Sequence, residues 1–245
     1  MARGMTKEEK YRQMIETPVN RLIPRLAVPT IISMLVTSIY NMADTFFVSQ
    51  LSTSASGAVG VMFSAMSMIQ AIGFTLGMGS GNHISRSLGN RDEERAGVFA
   101  ATAFYTAAII GVGILAVGTL FSRQLVFFLG ATETIAPYAQ DYARYILIGA
   151  PFMMTSFVMN NILRSQGNAV FAMVGITVGG ILNMILDPLL IFGLDLGISG
   201  AAIATMVSQI ISFCILLYQC NARPDCIKIQ LSKFRPSGKV YGEIL

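Results

Sequence analysis

The chain has 245 residues, of which 53% are hydrophobic and only 12% charged, with a mean hydropathy of +0.62. A soluble domain carries about 25% charged residues, so the composition excludes that class and defines an integral membrane protein. The net charge of +4 has no basic stripe interleaved with aromatics, which argues against a nucleic-acid partner. Cys214, Cys220 and Cys226 cluster late and share no ligand spacing with His83, so neither a disulfide framework nor a zinc site is indicated.

Crossing about 30 Å of hydrocarbon takes about 20 apolar residues. The segment 1–23, with Lys7, Glu8, Glu9, Lys10 and Arg12, is too charged for a cleavable signal and reads as an amphipathic cytoplasmic lead-in. Six spans follow, near 24–50, 56–82, 96–121, 136–160, 169–192 and 198–220. The breaks between them are short and turn-rich: Ser52-Thr53-Ser54, Leu88 to Asp92, Gly130-Ala131-Thr132, Gly167-Asn168, and Gly193 to Gly197. The chain therefore divides into the lead-in, an all-α six-span membrane unit over 24–220, and a basic, polar stretch over 221–245.

The basic residues orient the spans. Arg3, Lys7, Lys10, Arg12, Arg21, Arg25, Arg86, Arg91, Arg95, Arg164, Arg223, Lys228, Lys233, Arg235 and Lys239 fall on one side, and only Arg123 and Arg144 on the other. The positive-inside rule then puts both termini in the cytoplasm of a multi-pass protein, with the cell membrane as its location.

Two carboxylates interrupt apolar runs: Asp44 near the end of span 1 and Asp187 near the end of span 5. An intramembrane aspartate costs about 2.5–3.5 kcal/mol on insertion scales and normally faces a wet cavity or the bundle interior, where it marks an ion or substrate path. Both spans rise outward, and with a rise of about 1.5 Å per residue Asp44 and Asp187 lie level, about five or six residues below the outer surface. Thr205 in span 6 and Tyr142 in span 4 reach the same depth. Helical phase sharpens the pattern, since Thr37, Tyr40, Asn41 and Asp44 share one face of span 1, and Thr177, Gly180, Asn183 and Asp187 one face of span 5. Two carboxylates in one poorly solvated chamber repel, so they are expected to take up a proton or to share a monovalent cation such as sodium with amide and hydroxyl oxygens.

Blander readings compete. Either aspartate alone could snorkel to the interface, but two at matching depth, each an Asn away by one turn, argue otherwise. His83 reads as an interfacial residue at the inner end of span 2. An intramembrane aspartyl protease also pairs aspartates, yet Ala43 stands where such enzymes have Tyr, and no Gly-x-Gly run accompanies Asp187. The chain is read as a transporter and not an enzyme.

Several segments carry a family resemblance: Asn41-x-x-Asp44, Arg86-Ser-Leu-Gly89, Leu163-Arg164-Ser165-Gln166-Gly167, and above all Asn183-Met-Ile-Leu-Asp187-Pro188 followed by Gly197 to Thr205. Together they resemble the multidrug and toxic compound extrusion (MATE) family, from about residue 20 to 245. One departure is Ser49, where the family more often has Gly. The resemblance implies a fold of two six-span lobes, of which this chain would be the N-terminal one with 221–245 as the inter-lobe connector, and an antiporter exporting lipophilic, often cationic drug-like compounds. It implies a proton or sodium site at Asp44, Asn183, Asp187 and Thr205 with Tyr142 in its network, and substrate-lining roles for Tyr40, Asn41 and Asn160. No cofactor beyond the coupling ion is implied. Alternating access requires two repeats, so the missing lobe would come from a C-terminal half or a second half-transporter copy. The alternative is a non-transporting half-lobe that serves as a membrane scaffold. Pro188 is expected to free a carbonyl and make span 5 irregular beside the site.

Overall fold

The structure, a computed structural model, describes residues 7–222 and 226–244. Arg3, Arg223 and the side chains of Lys7 and Lys10, which enter the orientation argument above, lie outside the described residues, as do residues 1–6 of the lead-in and Leu245. All regular structure among the described residues is helical: α1 (Lys7–Glu16), α2 (Val19–Ser49), α3 (Thr53–Gly89), α4 (Glu93–Leu120), α5 (Ser122–Phe128), α6 (Ala136–Ser165), α7 (Ala169–Pro188), α8 (Gly197–Ala222) and α9 (Gly238–Ile244), with a π turn at Leu189–Gly193 and a 3-10 turn at Leu231–Lys233. Among the described residues, six helices are long and apolar enough to cross a membrane: α2, α3, α4, α6, α7 with its π turn, and α8. They form a single six-helix bundle, as the hydropathy of the sequence requires.

The helices outrun the apolar windows where polar turns continue them. Val19 to Ile23 open α2, and α3 continues through His83 and Arg86 to Gly89. Hydropathy measures side chains, whereas a helix propagates until its backbone bonding is interrupted. Local chemistry sets those interruptions. Ser52 caps α3 by accepting the Ala55 N–H at 3.0 Å, and Asp92 caps α4 by accepting the Arg95 N–H at 2.9 Å, with Glu93 and Glu94 in the dipole-favoured first turn. At the end of α6, Gly167 takes φ +77° while Asn168 N–H reaches back to the Leu163 carbonyl at 2.8 Å, a glycine-dependent C-cap.

Helix α6 is the axle of the bundle, with 83% of its apolar window buried against 11–44% for the other spans. It packs against α3, α4 and α8. Close approach depends on missing side chains: a Cβ on Gly111 of α4 would stand 2.6 Å from Pro151 Cα of α6. Inside a bilayer such contacts replace the hydrophobic drive as the source of association. Helix α2 is the most peripheral span, held mainly by α7 and presenting Ile31, Leu35, Ile39, Met42 and Phe46 outward.

Helices α1 and α9 sit at the same end of the bundle. Tyr11 donates to the Gly89 carbonyl at 3.3 Å and its ring lies under Arg91, while Glu243 of α9 meets Arg95 at 3.2 Å and His83 at 3.7 Å. The segment after α8 folds back onto that end instead of leaving it. Ile227 N–H donates to Gln166 Oε1 at 2.8 Å, Cys226, Ile227 and Ile229 are buried, and Tyr241 shares a 2.8 Å hydrogen bond with Thr106.

Candidate functional site

Four spans bring their polar side chains to one buried chamber. Asp44 comes from α2, Tyr142 from α6, Asn183 and Asp187 from α7, and Thr205 from α8, and all five are at most 6% exposed. The Tyr142 hydroxyl donates to Asp44 Oδ2 at 3.2 Å and lies beside Thr205 and within electrostatic reach of Asp187. Asn183 donates to Asp187 Oδ1 and to Thr205 Oγ1, both at 3.3 Å. The carboxylates thus belong to one network: Asp44 is anchored to α6, and Asp187 is joined through Asn183 to α8.

Helical periodicity explains the local alignment. Asn183 and Asp187 are one turn apart on α7, as are Tyr40 and Asp44 on α2. The close contact of the two helices supplies the rest. Gly180 leaves room for α2, since a Cβ there would stand 2.9 Å from Val36 Cγ1 and 3.1 Å from the Tyr40 ring. Directly after Asp187, Pro188 cannot donate a backbone N–H, and the chain passes into the π turn, closed by Leu194 N–H on the Leu189 carbonyl at 3.0 Å. The expected irregularity beside the site is therefore present.

Several oxygens in the chamber meet no donor. Asp44 Oδ1, Asp187 Oδ2 and Asn183 Oδ1 are buried without a hydrogen-bond partner. Leaving such groups unsatisfied costs about 1–3 kcal/mol each, more when charged. Together with the Thr205 hydroxyl they form a hard oxygen set suited to a small monovalent cation, while the carboxylates alone suit a proton.

Below the carboxylates lies a cavity of about 20 Å³, lined by Thr37, Tyr40, Ser156, Asn183, Ser208 and Gln209 among others. That is room for roughly one water molecule, far short of the several hundred Å³ of a drug-sized pocket. Of the three residues with expected substrate-lining roles, Tyr40 borders this cavity. Asn41 is half-buried, and Asn160 is fully buried with its amide tied to the Ala172 carbonyl at 2.8 Å, joining α6 to α7. Ser208, Gln209 and Ser212 were missed by the sequence reading. Their signal was available, since Thr205, Ser208, Gln209 and Ser212 follow one another at spacings of three, one and three along a single face of α8.

Six membrane-length apolar helices with an acidic chamber at the junction of four of them define a multi-pass membrane protein. The sequence model of the MatE family matches residues 29–189, and the chain belongs to that family, whose members are transporters and not enzymes. It is 34% identical over 209 residues to a protein named FAD transporter from Shewanella oneidensis, covering 84% of this chain and 46% of that protein. Identity to the multidrug export protein MepA of Staphylococcus saprophyticus is 27% over 239 residues, covering 97% of this chain and 53% of that one. A solved MOP superfamily transporter from Pyrococcus furiosus superposes with a TM-score of 0.87 at 34% identity, covering 95% of this chain and 52% of the other. The chain spans about half the length of the curated relatives it matches.

Proposed function

We propose that this chain is the N-terminal lobe of a cation-coupled antiporter that exports small, drug-like organic compounds across the cell membrane, with both ends of the lobe in the cytoplasm. The observation that carries the proposal is the pair of buried aspartates, each with one unpartnered oxygen, in a single network of four spans. A proton or sodium ion entering there removes net negative charge and reorganises the bonds from Tyr142 and Asn183. Coupling follows if the ion binds the outward- and inward-open states with different affinity. Family membership favours a transporter over the scaffold alternative. The second lobe is supplied by a C-terminal half or by another half-transporter.

The substrate class is read as lipophilic and often cationic, in line with the multidrug export named for the MepA relative. Tyr40, Asn41 and Asn160 are the lobe residues proposed to face it. The small cavity requires that α2 or its neighbours move before a drug can enter the lobe.

The test is export by the complete transporter in proteoliposomes under imposed proton or sodium gradients. Asp187→Asn keeps size and hydrogen-bonding capacity but removes the ionisable group, so gradient-driven export should vanish while insertion persists. Undiminished export by a correctly inserted Asp187→Asn protein would refute the assignment.

A further inference from the structure

Beyond the cavity lies a second charged group, Arg164, that the carboxylate chamber does not explain. Arg164, in the last turn of α6, is half-buried, and its Nη2 donates to Ser33 Oγ of α2 at 3.1 Å. That hydroxyl is already committed as a donor to the Thr30 carbonyl at 2.8 Å. Arg164 Nε is buried with no partner, and among the described residues no carboxylate pairs with the guanidinium. An arginine at a helix C-terminus complements the dipole, but an exposed side chain would do so equally well. Dipole complementation leaves unexplained why this one turns inward against α2, where an unpaired charge is costly.

Its position gives the reason. Ser33 stands one turn from Thr37, and Ser156, Asn160 and Arg164 occupy successive turns of α6. Thr37 and Ser156 line the cavity. Ser156 Oγ and Asn160 Oδ1 are buried without partners, as Arg164 Nε is. A polar track therefore runs from the Asp44 level to the Ser33 level, about 16 Å along α2 at 1.5 Å per residue. It is acidic at one end and cationic at the other.

We propose that Arg164, held in place by Ser33, supplies a subsite for an oxyanion, a carboxylate or phosphate, at the end of this polar track remote from the aspartates. Guanidinium presents five donors in a planar fork that matches such groups bidentately, and only one bond to a neutral hydroxyl is now made. The occupant is the anionic group of an amphipathic solute or of a lipid headgroup. As a statement about substrate class, the inference rests on the export reading given above.

The experiment is equilibrium binding of dansylglycine and dansylglycinamide, which differ only in the carboxylate, to the 245-residue chain in phosphatidylcholine nanodiscs. Dansylglycine should bind about tenfold more tightly, the scale of one charge-assisted hydrogen bond. Arg164→Gln should abolish that preference while leaving dansylglycinamide affinity unchanged, and Arg164→Lys should restore part of it. Repeating the measurement with phosphatidylglycerol in the disc separates the two sources: a preference erased by the anionic lipid identifies a headgroup as occupant, and a preference that survives identifies a solute. Equal affinity for the two probes, no saturable binding of either, or an equal loss of both in Arg164→Gln would overturn the subsite. Asp187→Asn should keep the carboxylate preference, so failure of the export reading and failure of this one are distinguishable.

Discussion

The Tyr142 hydroxyl donates to Asp44 Oδ2 across 3.2 Å, linking the central helix α6 to the peripheral helix α2 inside the bundle. Few other polar contacts hold α2, whose main neighbour is α7. Tyr142→Phe removes the donor without changing the shape and leaves a buried carboxylate with neither oxygen satisfied by protein. The variant should lose about 1–3 kcal/mol of stability, read as a lower thermal midpoint in detergent. An unchanged midpoint would mean that this bond does not hold α2 in place.

Asp44 and Asp187 should behave as a coupled pair. Two carboxylates in one poorly solvated network titrate as a unit, so neutralising one changes the ion affinity of the other. The pH and sodium dependence of ligand binding by Asp44→Asn, Asp187→Asn and the double variant in the complete transporter should be non-additive. Strict additivity would count against a shared site even if each aspartate mattered alone.

Gly180 controls how closely α2 lies on α7. Gly180→Ala would bring a methyl group to 2.9 Å from Val36 and 3.1 Å from Tyr40, and overpacking of this kind costs about 1–3 kcal/mol. Reduced thermal stability and impaired export are the expected outcomes. Wild-type behaviour in both assays would show that α2 yields without penalty.

The proposed orientation is open to labelling. With the three native cysteines replaced, cysteine at Ser237 should react with membrane-impermeant reagent only from the cytoplasmic side, and cysteine at Ser54 only from outside. Labelling of Ser237 from outside in intact cells would invert the topology.

The contacts that hold α9 should resist change differently according to their exposure. The Arg95–Glu243 pair is 58% and 39% exposed, so Glu243→Gln should cost under about 1 kcal/mol. Ile244 is buried against the α3 end, and Ile244→Ser should destabilise the docked segment more strongly, read as faster proteolysis near residue 230. The opposite ranking would show that the ion pair, and not the packing, holds α9.

The sequence by itself determined the span count and the polar stripes. An apolar run of membrane length and a polar face repeating every three or four residues are local properties, so the spans α2, α3, α4, α6, α7 and α8 and the alignment of Tyr40 with Asp44, or Asn183 with Asp187, were legible without knowing any neighbour. Depth alone also brought Tyr142 and Thr205 to the level of the carboxylates. The seven-residue helices α5 and α9 were not legible, because segments that short are set by what they pack on, and the return of residues 226–244 onto α3 and α4 rests on pairs such as Thr106 with Tyr241, more than a hundred residues apart. Only the tertiary structure decided which donor reaches which acceptor: that Tyr142 takes Asp44, that Asn183 bridges Asp187 to Thr205, that the Asn160 amide N–H donates to the Ala172 carbonyl, and that Arg164 turns inward to Ser33. Helical phase fixes a side chain's direction around its own axis, whereas the rotation and close approach of neighbouring helices, governed by contacts such as Gly111 with Pro151 and Gly180 with Tyr40, fix what it meets.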